Sequence, residues 1–223
     1  MIAVFLQARI DSSRLPGKAL LPINGKPMVQ VVMERLRKIF ADLYVLVTDR
    51  EGKRHFSSIA TRVGFEVFEG SKEDVLGRFC RAIETYKLPT IIRATGDNPL
   101  VSWELANKIL GEHLKLNADY SALQGMPLGL GVEVVQASAL LAAERETQDP
   151  YDHEHVTPYL YRNPHKFYLH LPLVDLEYRS RSRVTVDTEE DYQRIERIYR
   201  QMGSIEMPGL EDIMPFFREI EES

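Results

Sequence analysis

The chain has 223 residues, 44% hydrophobic and 27% charged, enough apolar mass for the core of one large domain. A net charge of −5 argues against nucleic-acid binding through a broad basic surface, and no apolar run approaches the ~18 residues that would span a bilayer. The single Cys80 excludes an intramolecular disulfide and fits a reducing cytoplasm; with no basic leader ahead of the first strand, no signal peptide is expected.

Ile2–Leu6 is a continuous apolar run, the pattern of a strand covered on both faces. The loop after it, within QARIDSSRLPGKALLPINGKPM (residues 7–28), holds Arg9, Arg14 and Lys18 together with Gly17 and Gly25. Three cations at the carboxyl end of a buried strand call for an anionic partner, because half-buried unpaired charge is costly. A triphosphate would supply one. The loop is not a P-loop, since Lys26 is followed by Pro27 rather than Ser or Thr, and no G-x-G-x-x-G follows the strand. Lys26 itself reads as a turn residue.

Met28–Phe40 has helical spacing, with Glu34, Arg35, Arg37 and Lys38 expected to face water. Leu43–Thr48 reads as a strand, His55–Val63 as a helix stopped by Gly64, and Phe65–Phe68 as a third strand. Lys72–Tyr86 reads as a helix holding Cys80 as a buried thiol, with Ser71 as its N-cap and Asp74 at the third position. Thr90–Ala94 is a fourth strand. The alternation implies βαβ units and a largely parallel sheet.

After a helix over Trp103–Asn117 the rhythm changes. Ala118–Leu123 and Gly131–Gln136 read as strands around the loop GMPLGLG, and Ser138–Arg145 and His153–Tyr161 as helices. Tyr168–Pro172 and Ser182–Val186 are further strand candidates, Glu189–Met202 is a helix, and Pro208–Gly209 precede a final helix over Leu210–Glu221. With no long linker or repeat, residues 1–223 form one α/β domain with a mixed-sheet second half.

Two aspartates follow apolar runs, Asp97 in TGDNP and Asp187 in VTVDT, and both should reach the sheet rim that carries the cationic loop. Two carboxylates plus phosphate oxygens suit magnesium. The residues alone leave competitors: Asp187 or Thr188 as N-cap of the following helix, with Glu190 or Asp191 at its third position, and Asp97 as a turn residue before Pro99. His153 and His155 in DHEH are two apart and would point to different helix faces, which disfavours a shared zinc.

The 7–28 segment resembles the signature of the cytidylyltransferase family that includes CMP-Kdo synthetases, nearest its SpsF-type branch, named for spore-coat polysaccharide synthesis. The likeness continues in order through RATGDNPLV (93–101), PLGLGVEV (127–134), EHVTPYLY (154–161) and RVTVDTEEDY (183–192). It implies an α/β nucleotidyltransferase domain, GT-A-like and Rossmann-like, whose central, mostly parallel mixed sheet is flanked by helices. It also implies a nucleotide-binding half over about 1–117 and an acceptor and dimerisation half over about 118–223. The implied activity is transfer of CMP from CTP to an acidic sugar with release of pyrophosphate, by a cytoplasmic homodimer. The implied metal is Mg²⁺, or Mn²⁺, on Asp97 and Asp187. Arg9, Lys18 and Asp97 would be catalytic. Leu6, Ala8, Arg9, Arg14, Gly17, Lys18, Gly70, Ser71, Asp74, Arg78, Thr95 and Gly96 would line the nucleotide site, and Glu133 and His155 would meet the acceptor. The alternatives are another nucleoside triphosphate, a sugar phosphate acceptor, or a GT-A-type glycosyltransferase using a nucleotide-sugar. The last would typically carry D-x-D where this chain has Asp97-Asn98-Pro99.

Overall fold

The computed structural model describes residues 1–203 and 205–218. β1 (Ile2–Gln7) is followed by a two-strand ribbon, β2 (Pro22–Ile23) and β3 (Lys26–Pro27). Next come α1 (Met28–Leu36), β4 (Leu43–Thr48), α2 (Arg50–Val63), β5 (Glu66–Glu69), α3 (Val75–Tyr86), β6 (Thr90–Thr95) and α4 (Trp103–Leu116). The second half adds β7 (Tyr120–Ala122), β8 (Glu133–Gln136), α5 (Ala137–Glu146), α6 (Pro150–His155), α7 (Pro158–Arg162) and β9 (Leu169–His170). It closes with α8 (Glu189–Gln201) and two short helices, α9 (Leu210–Ile213) and α10 (Pro215–Arg218).

The seven-stranded sheet runs β5-β4-β1-β6-β8-β7-β9. β5, β4, β1 and β6 are parallel, β8 is antiparallel to β6 and β7, and β9 is parallel to β7. Alternation along the strands feeds two cores. Val4, Leu6, Leu46, Ile92 and Val134 pack toward α1, α4 and α8, whereas Ala3, Phe5, Val45, Ile91 and Val135 pack toward α3 and α5. The chain leaves β1 toward β4 and β5, then returns to β6 on β1's other side. The carboxyl ends of β1 and β6 therefore flank a topological switch point, where open α/β sheets bind ligands. No described helix is long and apolar enough to cross a membrane.

Several local expectations change. Arg35 is fully buried instead of facing water: it donates to the carbonyls of Val101 (2.7 Å) and Pro208 (2.8 Å) and lies over the Trp103 ring. Helical periodicity placed it on the polar face, but α4 and the Pro208 turn cover that face too. α2 starts five residues early because Asp49 caps it, accepting from Gly52 N at 2.7 Å. α3 starts three residues late because Asp74, not Ser71, is its cap (Gly77 N, 2.8 Å). The helix expected over 153–161 divides into α6 and α7 at Val156, whose φ of 76° no α-helix accommodates, with Pro158 opening the second piece. Ser182–Val186 is extended but forms only an isolated bridge, Arg183 with Leu128, so Asp187 follows a covered loop segment and not a sheet strand. The final helix breaks into α9 and α10 at Met214–Pro215, and its expected end, residues 219–221, lies outside the described residues.

One buried group makes stability pH-dependent. His113 of α4 is fully buried, with Nδ1 2.8 Å from Ser121 Oγ and no partner for Nε2. Burial pushes its pKa down to about 4. The unfolded ring, with a pKa of about 6.5, takes up a proton first, so His113's contribution is complete above pH 6.5 and is lost as pH falls toward 4. Melting temperature measured from pH 7 to 4.5 should fall more steeply for the wild type than for His113→Gln; parallel curves would contradict this.

Candidate active site

The loop leaving β1 turns at Gly17, whose φ of 69° favours glycine, into one 3-10 turn (Leu20 N to Gly17 O, 2.8 Å). That turn sends Lys18 inward beneath the switch point. Its Nζ donates to Val186 O (2.6 Å), Asp187 Oδ1 (2.9 Å) and Asp97 Oδ2 (3.3 Å). β6 supplies Asp97 through a tight exit. Gly96 N donates to Gln7 O at 2.8 Å, and a Cβ on Gly96 would come within 2.8 Å of Ala8 Cβ, so only glycine lets the two strand ends meet. Thr95 Oγ1 donates to Asp97 Oδ1 (2.7 Å), and Val186 N donates to the Asp97 carbonyl (2.8 Å), tying both aspartate segments together.

Asp187 is not the helix cap. Thr188 caps α8 in a reciprocal box with Asp191, which leaves the Asp187 carboxylate to accept from Lys18, Arg14 (2.9 Å) and Arg183. Across the mouth, Arg9 pairs with Glu154 of α6 at 3.5 Å. Arg9, Arg14 and Lys18, with Arg183 also on Asp187, thus interleave with Asp97, Asp187 and Glu154 around a half-buried cleft. Burial pulls the Lys18 ammonium below its ordinary pKa, an effect that Asp97 partly opposes. The more exposed guanidiniums of Arg9 and Arg14 can meet an entering phosphate with their planar forks.

Two cavities meet here. One, of about 340 Å³, is lined by Ala8, Arg9, Arg14, Lys18, Thr95, Gly96, Asp97, Asp187 and α6 residues Glu154 and His155. The other, of about 370 Å³, lies over β8 and the glycine-rich loop, with Asn98, Tyr120, Gln124, Met126, Leu128 and Glu133 on its walls. Arg93 and Thr95 line both.

Residues 3–212 match the sequence profile of a family described as Cytidylyltransferase. The chain belongs to the cytidylyltransferase family. It is 35% identical over 91% of its length to the spore coat polysaccharide biosynthesis protein SpsF of Bacillus subtilis, covering 88% of that protein. It is 40% identical to the 3-deoxy-manno-octulosonate cytidylyltransferase of Sodalis glossinidius, but over only 43% of this chain and 39% of that enzyme. A solved cytidylyltransferase from Leptospira borgpetersenii superposes with a TM-score of 0.90 at 27% identity, covering 99% of this chain and 95% of that one. The family and the nucleotidyltransferase fold expected from the motifs are both borne out.

Within this cytidylyltransferase, Arg9, Arg14, Lys18, Ala8, Thr95, Gly96, Asp97 and Asp187 converge on the first cavity; Gly17 borders an adjoining one, and Leu6 is a buried core residue. Gly70, Ser71, Asp74 and Arg78 do not line the Lys18 cavity. Arg78 is buried beside Gly70, where a Cβ would meet its Cγ at 2.6 Å, and donates to Ser71 O at 2.6 Å. Asp74 caps α3 and accepts from His153 at 2.7 Å. The Lys72–Asp11 ion pair links this segment to the loop after β1. The two residues expected at an acceptor separate: His155 faces the first cavity, and Glu133 the second. Lys26, expected in a turn, instead opens β3 directly after the turn at Asn24 and Gly25 and pairs with Glu34 at 2.8 Å.

Arg93 and Arg183 were not singled out from the sequence. The signals were there, a lone charge in the apolar run IIRA and an arginine four residues before Asp187, but each also reads as an ordinary surface or edge charge. As for a metal, Asp97 and Asp187 share the one point that Lys18 Nζ touches, and no cluster of three or more His, Cys, Asp or Glu ligands exists among the described residues. Two carboxylates converging on one point fit a hard cation that takes its other ligands from phosphate and water.

Proposed function

We propose that this protein transfers CMP from CTP to the hydroxyl of a sugar acid and releases pyrophosphate, in the synthesis of a surface polysaccharide precursor. One observation carries the reading: Lys18 is clamped between Asp97 and Asp187 at the switch point, with a second cavity opening alongside. Lys18 and Arg9 hold the β- and γ-phosphates that depart as pyrophosphate, and Arg14 adds a more exposed contact. Mg²⁺, or Mn²⁺, held by Asp97 and Asp187 would neutralise phosphate charge and lower the pKa of the attacking hydroxyl when bound. The acceptor approaches the α-phosphorus in line from the second cavity. Positioning and electrostatics supply most of the acceleration, as is general for transfer of phosphorus groups.

A thermal-shift series with CTP, UTP, GTP and ATP, each with Mg²⁺, tests the nucleotide. Stabilisation grows with the ratio of ligand to Kd, reaching about 2.7 kcal/mol at a hundredfold excess, so CTP should raise the melting temperature most. Equal or greater stabilisation by another nucleotide would contradict the CTP assignment.

A further inference from the structure

Glu133 faces the second cavity, yet its carboxylate is already committed. Oε1 accepts from Tyr120 Oη (2.6 Å) and Thr157 Oγ1 (2.8 Å), and Oε2 accepts from Arg93. Arg93 of β6 lies directly opposite Glu133 of β8 in strand register. Its guanidinium is further fixed by Gln7 Oε1 at 3.1 Å, and its buried Nε has no partner. Arg93 is the one cation lining the second cavity among the described residues, and with Thr95 it forms the boundary with the Lys18 cavity. A cross-strand ion pair could simply brace the sheet. Bracing alone does not explain the cation's place at the junction of two cavities.

Transfer must take place at that boundary, since the nucleotide's phosphates belong with Lys18 and the acceptor body with the second cavity. In a 2-keto sugar acid the carboxylate sits on the same carbon as the attacking hydroxyl, so it too must lie at the boundary. A planar guanidinium is suited to gripping it. We infer that Arg93 recognises the acceptor's carboxylate and that Glu133 is a positioning residue, holding Arg93 in place without touching the substrate itself. The inference rests on the proposed function for the identity of the acceptor, but its test does not require turnover.

The wild type, Arg93→Gln and Arg93→Lys are titrated calorimetrically with a series of 3-deoxy-2-keto sugar acids and their C1 amides, with α,β-methylene-CTP present. The wild type should bind at least one acid at least about tenfold more tightly than its amide. Arg93→Gln should lose that preference, Arg93→Lys should retain part of it, and all three should bind the CTP analogue within about twofold of one another. Should Arg93→Gln misfold because Glu133 is left buried without its counter-charge, the Arg93→Gln/Glu133→Gln pair removes both charges and should also show no preference. A wild type indifferent to the carboxylate, or an Arg93→Gln or paired variant that keeps the preference, overturns the assignment. A protein that prefers the acids yet releases no pyrophosphate from CTP contradicts the proposed function and supports the role given to Arg93.

Discussion

Lys18→Ala is expected to lower CTP-dependent pyrophosphate release by at least about 10²–10³-fold, the usual loss on removing a preorganised donor at a developing charge. Lys18 makes three bonds at the junction of the phosphate loop, the Asp97 turn and the Val186–Asp187 segment, so no other side chain can take its place. Its position is half-buried and polar, and Arg14 and Arg183 remain on Asp187 in the variant, so the fold should survive. Circular dichroism and gel filtration check that point, and a coupled pyrophosphate assay reads the activity. A folded Lys18→Ala protein with unchanged release would remove the mechanism proposed here.

Asp97→Asn should lower activity by a similar factor, about 10²–10³-fold, but through the metal. The amide is the same size and can still accept from Thr95, while the lost charge weakens any hold on a divalent cation. The Mg²⁺ concentration for half-maximal rate should therefore rise at least about tenfold in Asp97→Asn, and less in Lys18→Ala, where both carboxylates remain. Identical metal titrations for wild type and Asp97→Asn would show that Asp97 is not a ligand.

The fold was readable because strand and helix periodicities alternate strongly from Ile2 to Asn117, and a parallel sheet follows from that alternation. Element boundaries were read less well where capping decided them. Asp49 and Asp74 compete with nearby polar residues for the cap position, and only the folded backbone shows which side chain reaches the free N–H groups. Arg35 misled because helical spacing assigns a polar residue to solvent, yet neighbouring carbonyls of Leu100, Val101 and Pro208 can satisfy a buried guanidinium. The cationic loop and Asp97 were visible as charges at strand ends, and Asp187 as a charge after an apolar run. Sequence could not show that Asp187 meets Lys18 and Arg14, or that Glu133 meets Arg93, because those contacts join segments far apart in the chain. Whether Asp187 or Thr188 capped the last long helix was likewise open until Thr188 and Asp191 were seen to form the cap between themselves.

The most direct test of the account is mass spectrometry of the products formed when the protein is given CTP, Mg²⁺ and a series of acidic sugars. The account predicts a CMP–sugar conjugate for at least one acid, formed in step with pyrophosphate and absent with Lys18→Ala. A wild type that produces no conjugate from any acid, while forming one from a neutral sugar or a sugar phosphate, would contradict it.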